Sequence, residues 1–408
     1  MAGCGRGLSR SGNVARSRTI IIAGAGIGGL AAALALARAG YRAVVLEQAP
    51  RLEPVGAGIQ LSPNAARVLV GLGLTERLQP NVVAPEAIRV IEARSGRDIV
   101  RIPLGDAAQR YGAPYWVIHR ADLQAVLAIS AAESPDITLR LGARVDDFAI
   151  HPHGVTVEAR DAQGLREEQG SALIGADGLW STLRTRLGDR RQPVFARRTA
   201  WRAVVPAAQL TEEFRAPVTA LWLGRNAHLV HYPVTAGREV NIVAIIRDDW
   251  HEPGWSAAGQ QGVLAARFAS FAPQARALIA MPERWQKWAL FDRPAGRPRR
   301  RDPVALIGDA AHPMLPFLAQ GGAMAIEDAA VLAHCLEQET VDPARALRAY
   351  ESQRRGRVAR AQREARRNSR AYHLGGPLGW ARNRLLAALG GERLLHRYDW
   401  IYGWPPER

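Results

Sequence analysis

The chain has 408 residues, of which 48% are hydrophobic and 23% charged, as in folded globular proteins rather than disordered ones. Its net charge of +16 comes from scattered arginines with no base-reading motif, so nucleic-acid binding is not indicated. Two cysteines do not suggest a disulfide framework or a metal cluster, and no metal site is predicted. A modest attraction for anionic substrates or cofactors follows from the charge.

The length fits two closely packed domains. No apolar run reaches the length of about 20 residues that spans a bilayer. Residues 1–18 are rich in Gly, Ser and Arg and have no apolar core like that of a signal peptide. We therefore expect a disordered N-terminal extension and a cytoplasmic protein without a membrane span.

The segment Thr19–Glu47 reads as strand, glycine-rich turn, helix and strand, which is the dinucleotide-binding βαβ unit. The glycines of its turn are Gly24, Gly26, Gly28 and Gly29. Gly24 is expected to make the tight turn, Gly26 to let the backbone approach a pyrophosphate, and Gly29 to let helix and strand pack closely. The helix N-terminus then offers N–H groups and a positive dipole end to the phosphates.

Glu47 ends the second strand, where its carboxylate can accept hydrogen bonds from both hydroxyls of a ribose. The motif does not distinguish a nicotinamide from a flavin adenine dinucleotide. An ordinary glycine-rich turn is the alternative interpretation.

Two further segments are candidates for the same site. Residues 56–64, which include Gly58 and Gln60, are turn-rich and suggest backbone lying close to something flat, or else an ordinary connecting loop. Arg120 stands where a predicted strand meets a helix. Arg120 could contact a phosphate or the ribityl chain of a cofactor, or it could be an ordinary surface arginine. The sequence alone favours neither interpretation.

Two later strands end in acidic turns that precede helices, at Asp177-Gly178 and at Gly308-Asp309. The carboxyl ends of parallel strands are where open α/β sheets bind ligands. Gly321 and Gly322 open the helix after Asp309 and could turn its N-terminus toward an anion.

Residues 195–292 change character, because their β-rich runs lack glycine-rich crossovers and indicate an antiparallel sheet in a second domain. The side-chain period of two puts His228 and Tyr232 on one face and Leu229 and His231 on the other. His228 and Tyr232 could face a substrate, or they could simply be half-buried sheet residues.

The three glycine–acid motifs in this order resemble the FAD-dependent aromatic hydroxylases of the para-hydroxybenzoate hydroxylase type. Three shorter segments, residues 58–64, 119–123 and 398–400, resemble those of one subgroup. This subgroup contains the salicylate, 3-hydroxybenzoate 6- and 6-hydroxynicotinate 3-monooxygenases. The resemblance implies an α/β fold, in which a Rossmann-type FAD-binding domain is interleaved with an antiparallel-sheet substrate domain and followed by a C-terminal helical segment. The corresponding ranges are 19–194 and 296–340 for FAD, 195–295 for substrate, and 341–408 for the helices.

The resemblance also implies roles for matching residues. Glu47, followed by Gln48, would hold the adenosine ribose, Gln60 would line the FAD site, and Arg120, Asp177 and Asp309 would border the flavin chain. The loop Gln320–Ala323, with Gly322, would place backbone N–H groups at the flavin N1–C2=O edge, and Gln320 is therefore grouped with the catalytic residues. His228 and Tyr232 match an active-site His and Tyr of the 3-hydroxybenzoate and 6-hydroxynicotinate enzymes, which favours a substrate-facing role.

The function that the resemblance implies is hydroxylation of a small aromatic acid by O2. FAD would be reduced by transiently bound NADH or NADPH and would activate O2 as a C4a-hydroperoxide; the resemblance also allows a homodimer. Gln60 stands where the hydroxynicotinate enzyme has a histidine, and residues 314–320 differ from some salicylate hydroxylases, so the substrate stays open. The alternatives are a related flavoprotein that oxidises or epoxidises a non-aromatic substrate and a nucleotide-binding regulator without turnover.

Overall fold

The computed structural model of the chain describes residues 18–52, 57–252, 257–293 and 301–405. The expected disordered extension over residues 1–18 lies outside these ranges except for Arg18. No helix within the ranges is long and apolar enough to cross a membrane.

These ranges contain strands in two large and two small sheets. The strands are β1 (Thr19–Ala23), β2 (Arg42–Glu47), β3 (Gly58–Leu61), β4 (Ala87–Glu92), β5 (Asp98–Pro103), β6 (Trp116–His119), β7 (Ile137–Leu141), β8 (Arg144–His151), β9 (Gly154–Asp161), β10 (Gly164–Gly170), β11 (Ala172–Gly175), β12 (Val194–Pro206), β13 (Val218–Gly224), β14 (Ala227–Val234), β15 (Glu239–Arg247), β16 (Ala257–Gly259), β17 (Trp285–Asp292) and β18 (Val304–Leu306).

The helices range from single turns to one of 30 residues. They are α1 (Ile27–Arg38), α2 (Pro63–Gly71), α3 (Thr75–Leu78), α4 (Ala107–Tyr111), α5 (Arg120–Ala132), α6 (Thr182–Arg186), α7 (Glu212–Arg215), α8 (Gln261–Arg267), α9 (Pro273–Ala280), α10 (Gly308–Ala311), α11 (Gly321–Gln338), α12 (Pro343–Tyr372), α13 (Gly376–His396) and α14 (Asp399–Tyr402).

The first large sheet is parallel, with strand order β18-β11-β1-β2-β7. Its central strand β1 is buried on both faces, as its uninterrupted apolar sequence predicts. One face packs against α1, α5 and α11, and the other packs against the three-stranded sheet β8–β10 and α6. Because the strands are parallel, the turns that follow β1, β2, β11 and β18 meet at one edge of the sheet.

The second large sheet has the order β16-β17-β12-β15-β14-β13-β4-β5 and is antiparallel except where β4 runs beside β13. The hairpin β4–β5 comes from the first half of the chain, so the two domains are interleaved. The back face packs against α8 and α9. The face opposite, called the front face below, packs against α11, α12 and the C-terminal residues. Tyr232 belongs to the front face and Leu229 to the back, as the period of two predicts.

The arginine-rich helix α12 is fastened to α11 by buried ion pairs. Arg354 lies 2.6 Å from both Glu327 and Asp328, and Arg357 lies 2.7 Å from Glu327. Neither carboxylate side chain is exposed to solvent. Breaking a buried pair of this kind by removing one partner typically costs about 3–5 kcal/mol. The arginines of α12 that face α11 therefore fix the helix that begins at the predicted flavin site.

Candidate active site

The glycine-rich turn after β1 has the geometry of a phosphate cradle. Gly24 has φ +109°, and a Cβ on it would lie 2.5 Å from the carbonyl oxygen of Ala176. A Cβ on Gly29 would overlap the carbonyl oxygen of Gly24, whereas one on Gly28 would lie 3.1 Å from Ala325 of α11. These three glycines serve close packing of the turn, of α1 and of α11.

Gly26 differs from its neighbours, because a Cβ on it would meet no heavy atom within 4 Å. It is the N-cap of α1, has extended backbone angles that any residue can adopt, and caps the helix with no side chain. The first N–H groups of a helix have no intrahelical acceptor. Open space beside such a terminus fits the pyrophosphate of the predicted FAD.

Glu47 lies directly beside this turn. The N–H groups of Ala25 and Ala49 donate to its two carboxylate oxygens at 2.7 and 2.9 Å, which fixes the carboxylate at the end of β2. Gln48 is exposed next to it. The carboxylate retains lone pairs that could accept hydrogen bonds from ribose hydroxyls. Binding of the ribose by Glu47 stays a prediction.

Asp177 accepts a hydrogen bond from the first turn of α6, and its second carboxylate oxygen has no partner among the described residues. The Leu183 N–H donates to Oδ2 at 3.1 Å, whereas Oδ1 is buried and has no hydrogen-bond partner in the described part of the chain. Burial is the largest effect on its carboxyl pKa and raises it, against the hydrogen bonds from Ser181 and from backbone N–H groups. A buried acceptor without a donor is costly, and the hydroxyl groups of a bound cofactor would satisfy it.

Asp309, in the short helix α10 after β18, and Arg120, at the start of α5, influence each other electrostatically. Burial raises the carboxyl pKa of Asp309, while nearby His312 and Arg120 act to lower it. Burial also lowers the pKa of Arg120, against the attraction of Asp309. The structure thus brings these two predicted residues into one electrostatic environment at the carboxyl edge of the parallel sheet.

The turn at Gly308-Asp309 is held by Asp328, a residue that sequence reasoning missed. The Gly308 N–H donates to Asp328 Oδ2 at 2.8 Å, and His312 Nε2 lies 2.5 Å from the same oxygen. Arg354 Nε donates to Oδ1 at 2.6 Å. Burial alone would raise the carboxyl pKa of Asp328, but His312, Arg354 and the Gly308 N–H together lower it.

Gln320 is part of a buried network rather than a free active-site side chain. Its Nε2 donates to Ser62 Oγ at 2.8 Å, and its Oε1 accepts from Asn64 Nδ2 at 3.1 Å. Asn64 Nδ2 also donates to Glu327 at 2.6 Å. The side chain therefore joins α2 to α11, a packing role that the sequence did not indicate. Only a backbone contact to the flavin remains predicted for this position.

Gly322 likewise has a packing role that the sequence did not indicate. A Cβ there would lie 2.6 Å from Ile59 Cδ1 of β3, so the glycine lets β3 cover the start of α11. Ala323 beside it is fully buried. No side chain caps the first turn of α11, so the expected contact of its N–H groups with the flavin stays a prediction.

The Tyr232 side chain packs against the backbone of Gly58 in β3, where a larger residue would not fit. A Cβ on Gly58 would lie 2.8 Å from the Tyr232 hydroxyl, and the Gly58 N–H donates to Asn241 Oδ1 at 2.7 Å. The Tyr115 hydroxyl donates to Gln60 Oε1 at 2.6 Å. Burial raises the pKa of Tyr232, with Arg202 and Gln60 opposing it. Gln60 therefore lies beside two buried tyrosines, in addition to its predicted place near FAD.

Arg202 on β12 is a second residue that sequence reasoning missed. Its guanidinium carbon lies 3.4 Å from the centroid of the Trp288 ring, and no described carboxylate is within ion-pair distance. Burial, followed by repulsion from Arg120, lowers its pKa to about 9. The strand period could have revealed its position: Trp201 faces the back of the sheet, so the next residue, Arg202, faces the front.

His228 lies toward the opposite end of the same face. It is 2% exposed, and its Nδ1 lies 2.9 Å from Nε2 of His373. Burial lowers its imidazole pKa well below the usual value, and His373 and Arg198 act in the same direction. Four residues of extended strand put His228 and Tyr232 about 13 Å apart, so they do not form a contacting pair.

Within the described ranges, no cluster of His, Cys, Asp or Glu could hold a metal ion. The arrangement instead consists of a phosphate cradle, buried carboxylates and a front face that carries Arg202, Tyr232 and an uncharged His228.

Comparison with known proteins identifies an FAD-binding protein along most of the chain. Residues 17–365 match the family model described as FAD binding domain. The chain is 36% identical to 3-hydroxybenzoate 6-hydroxylase 1 of Aquipseudomonas alcaligenes, over 94% of this chain and 97% of that protein. It is 40% identical to 3-amino-4-hydroxybenzoate 2-monooxygenase PtmB3 of Streptomyces platensis, over 94% and 96% of the two chains.

A solved structure shares the fold. Klebsiella pneumoniae HpxO complexed with FAD and uric acid superimposes with a TM-score of 0.80 at 29% identity, covering 94% of this chain and 96% of that one. Together with the glycine cradle and the buried acids, these similarities decide the family. The chain belongs to the FAD-dependent aromatic hydroxylases, which are flavoprotein monooxygenases, and its cofactor is FAD.

Proposed function

We propose that this enzyme uses NAD(P)H and O2 to hydroxylate a small aromatic acid. The observation that carries the substrate class is the guanidinium of Arg202 on the front face, which has no described carboxylate partner. A partly buried guanidinium is well suited to pair with a carboxylate in a fork geometry. The two relatives above are named for hydroxybenzoates, whose carboxylate would meet this need.

FAD would be held by the residues at the carboxyl edge of the parallel sheet. The N-terminus of α1 and Gly26 would bind the pyrophosphate, and Glu47 the adenosine ribose. Arg120 and Asp309 would contact the ribityl chain, and the backbone of Gly322 and Ala323 would meet the flavin pyrimidine edge. When bound, FAD supplies hydride acceptance from NAD(P)H and the activation of O2.

The front face would bind and activate the substrate ring. Arg202 would orient the carboxylate, and Tyr232 would offer its hydroxyl near the flavin side. His228 is uncharged near neutral pH and can accept the proton of a phenol. Loss of that proton makes the ring a better nucleophile, which is what oxygen transfer requires. Phe317 packs on His228 and helps to exclude water from this end.

The nicotinamide is expected to bind only transiently, because the chain has no second glycine-rich dinucleotide motif. NADH and NADPH both remain candidates. An aromatic acid should therefore accelerate a slow basal oxidation of NAD(P)H, with O2 consumed in step.

Arg202→Gln tests the substrate class. A hydrogen-bonded charge pair contributes about 1.5–3 kcal/mol, so the KM for an aromatic acid should rise about 10- to 100-fold. The KM for the matching neutral amide should change little. Arg215→Gln, an exposed arginine of α7 behind the sheet, removes the same charge and should change neither constant.

An unchanged KM for the acid in a well-folded Arg202→Gln protein would remove the carboxylate assignment. If no hydroxybenzoate, aminohydroxybenzoate or hydroxynicotinate stimulates NAD(P)H oxidation by the wild-type protein, the proposed substrate class is wrong as a whole.

A further inference from the structure

A chain of hydrogen bonds between the front face and the end of α12 determines which nitrogen of His228 carries a proton. His373, the residue that follows α12, has Nδ1 2.6 Å from the carbonyl oxygen of Ser369. A carbonyl oxygen can only accept, so His373 Nδ1 carries the hydrogen. His373 Nε2 lies 2.9 Å from His228 Nδ1.

The charges around His373 keep its ring neutral. Burial lowers its pKa to about 4, with Arg198 of β12 acting in the same direction and the Ser369 carbonyl opposing. Arg382 of α13 also lowers it, and this guanidinium donates to the carbonyl oxygens of Ala371 and Tyr372 at the end of α12. The cation-stabilising end of α12 is thus already occupied by arginine.

A neutral His373 with hydrogen on Nδ1 has a lone pair on Nε2. That lone pair can only accept, so His228 must donate from Nδ1. A neutral His228 that is protonated at Nδ1 has an unprotonated Nε2. This nitrogen makes no hydrogen bond to any residue in the described ranges. The rings of Phe317, Tyr372 and His373 surround His228, with centroids 4.9–5.6 Å away.

We infer that His373 is a positioning residue that holds His228 in the tautomer with a free Nε2, so that His228 faces the aromatic substrate as a hydrogen-bond acceptor only. The proton transfer that follows from this tautomer rests on the proposed function, whereas the tautomer itself does not. In the consequent step the O–H bond of the phenol breaks, an N–H bond forms at His228 Nε2, and a phenolate–imidazolium pair results. If His373 were instead protonated it would donate to His228 Nδ1, and His228 Nε2 would become a donor that cannot take the proton.

The tautomer can be measured without turnover. In protein labelled with ¹⁵N-histidine, the His228 resonances are identified by their loss in His228→Gln. We expect a protonated Nδ1 and an unprotonated Nε2 at neutral pH in the FAD-bound protein. In His373→Phe, which keeps an aromatic ring without an acceptor, the two tautomers should become mixed. A protonated Nε2 in the wild type, or an unchanged tautomer in a folded His373→Phe protein, would overturn the inference.

Turnover gives the second readout. His373→Phe should keep aromatic-stimulated NAD(P)H oxidation but form about 10-fold less hydroxylated product per NAD(P)H, because a base in the wrong tautomer loses general-base assistance. His373→Gln offers an amide oxygen as acceptor and should recover part of the yield. His231→Phe, the same change on the back face, should leave the yield unchanged.

An unaltered yield in His373→Phe contradicts the positioning role. If instead the tautomer is as expected but no aromatic acid is hydroxylated by the wild type, the proposed function fails and the tautomer assignment stands.

Discussion

Gly26→Val separates cofactor binding from folding. A Cβ at Gly26 meets no heavy atom within 4 Å, and the backbone angles of −70° and 178° are open to any residue. The apoprotein should therefore lose no more than about 1 kcal/mol of its free energy of unfolding, which is the usual cost of a poor N-cap residue. Gly29→Ala is the opposite case, because its Cβ would overlap the carbonyl oxygen of Gly24 and destabilise the turn whether or not FAD is bound.

The expected loss of FAD affinity follows from the contacts that the valine side chain would displace. Its side chain fills the space at the N-terminus of α1, where a phosphate would accept from backbone N–H groups. Losing one such hydrogen bond to a charged group costs about 1.5–3 kcal/mol, which is a 10- to 100-fold weaker Kd for FAD. The stabilisation that saturating FAD adds to the wild type should fall by the same amount, since binding to the native state stabilises by mass action.

The assay is titration of apoprotein with FAD, followed by flavin fluorescence, together with urea unfolding of the apoprotein. Gly356→Ala in α12 is the matched control, because its Cβ also meets no atom within 4 Å. An alanine in a helix interior is favoured over glycine by about 0.5–1 kcal/mol, so this variant should be slightly more stable and bind FAD as the wild type does. Normal FAD affinity in Gly26→Val would refute the placement of the pyrophosphate.

Three further outcomes are expected. Asp328→Asn removes the carboxylate that holds His312 and leaves Arg354 paired with Glu327 alone, and it should lower the free energy of urea unfolding by about 3–5 kcal/mol. An unchanged midpoint would contradict the network. Burial lowers the pKa of His231 to about 3, below its unfolded value of 6.5, so the unfolded state binds a proton more readily than the folded state. The free energy of unfolding should therefore fall as the pH drops below 6.5, by up to about 1.4 kcal/mol per pH unit. His231→Phe should flatten that slope between pH 6.5 and pH 4 in urea titrations, and a slope equal to wild type would dismiss this source. Tyr232→Phe should keep stimulated NAD(P)H oxidation but release more hydrogen peroxide per product, whereas an unchanged ratio would leave the tyrosine as a packing residue.

The parts of the site that lie close together in the chain could be predicted from sequence. The cradle from Gly24 to Glu47 is one contiguous βαβ unit, so its glycine spacing and strand order carry the geometry. The shared face of His228 and Tyr232 follows from the strand period alone. Asp177 and Asp309 were found because each directly follows a parallel strand.

The missed residues depend on how distant elements pack. Asp328 lies in the middle of α11 and gains its role only because α12 brings Arg354 against it. The period of two could give Arg202 a face but could not say that this face looks toward Arg120. The packing of the Gln320 side chain was not predicted, because Ser62 and Asn64, far away in sequence, turn it into the core.

The most direct test of the proposed reaction is turnover under ¹⁸O2 with a panel of hydroxybenzoates and either nicotinamide cofactor. The account predicts that at least one aromatic acid gains a single ¹⁸O atom on its ring, with about one product formed per NAD(P)H oxidised. Stoichiometric hydrogen peroxide with no hydroxylated product across the panel, or a product oxygen that comes from water, would contradict it.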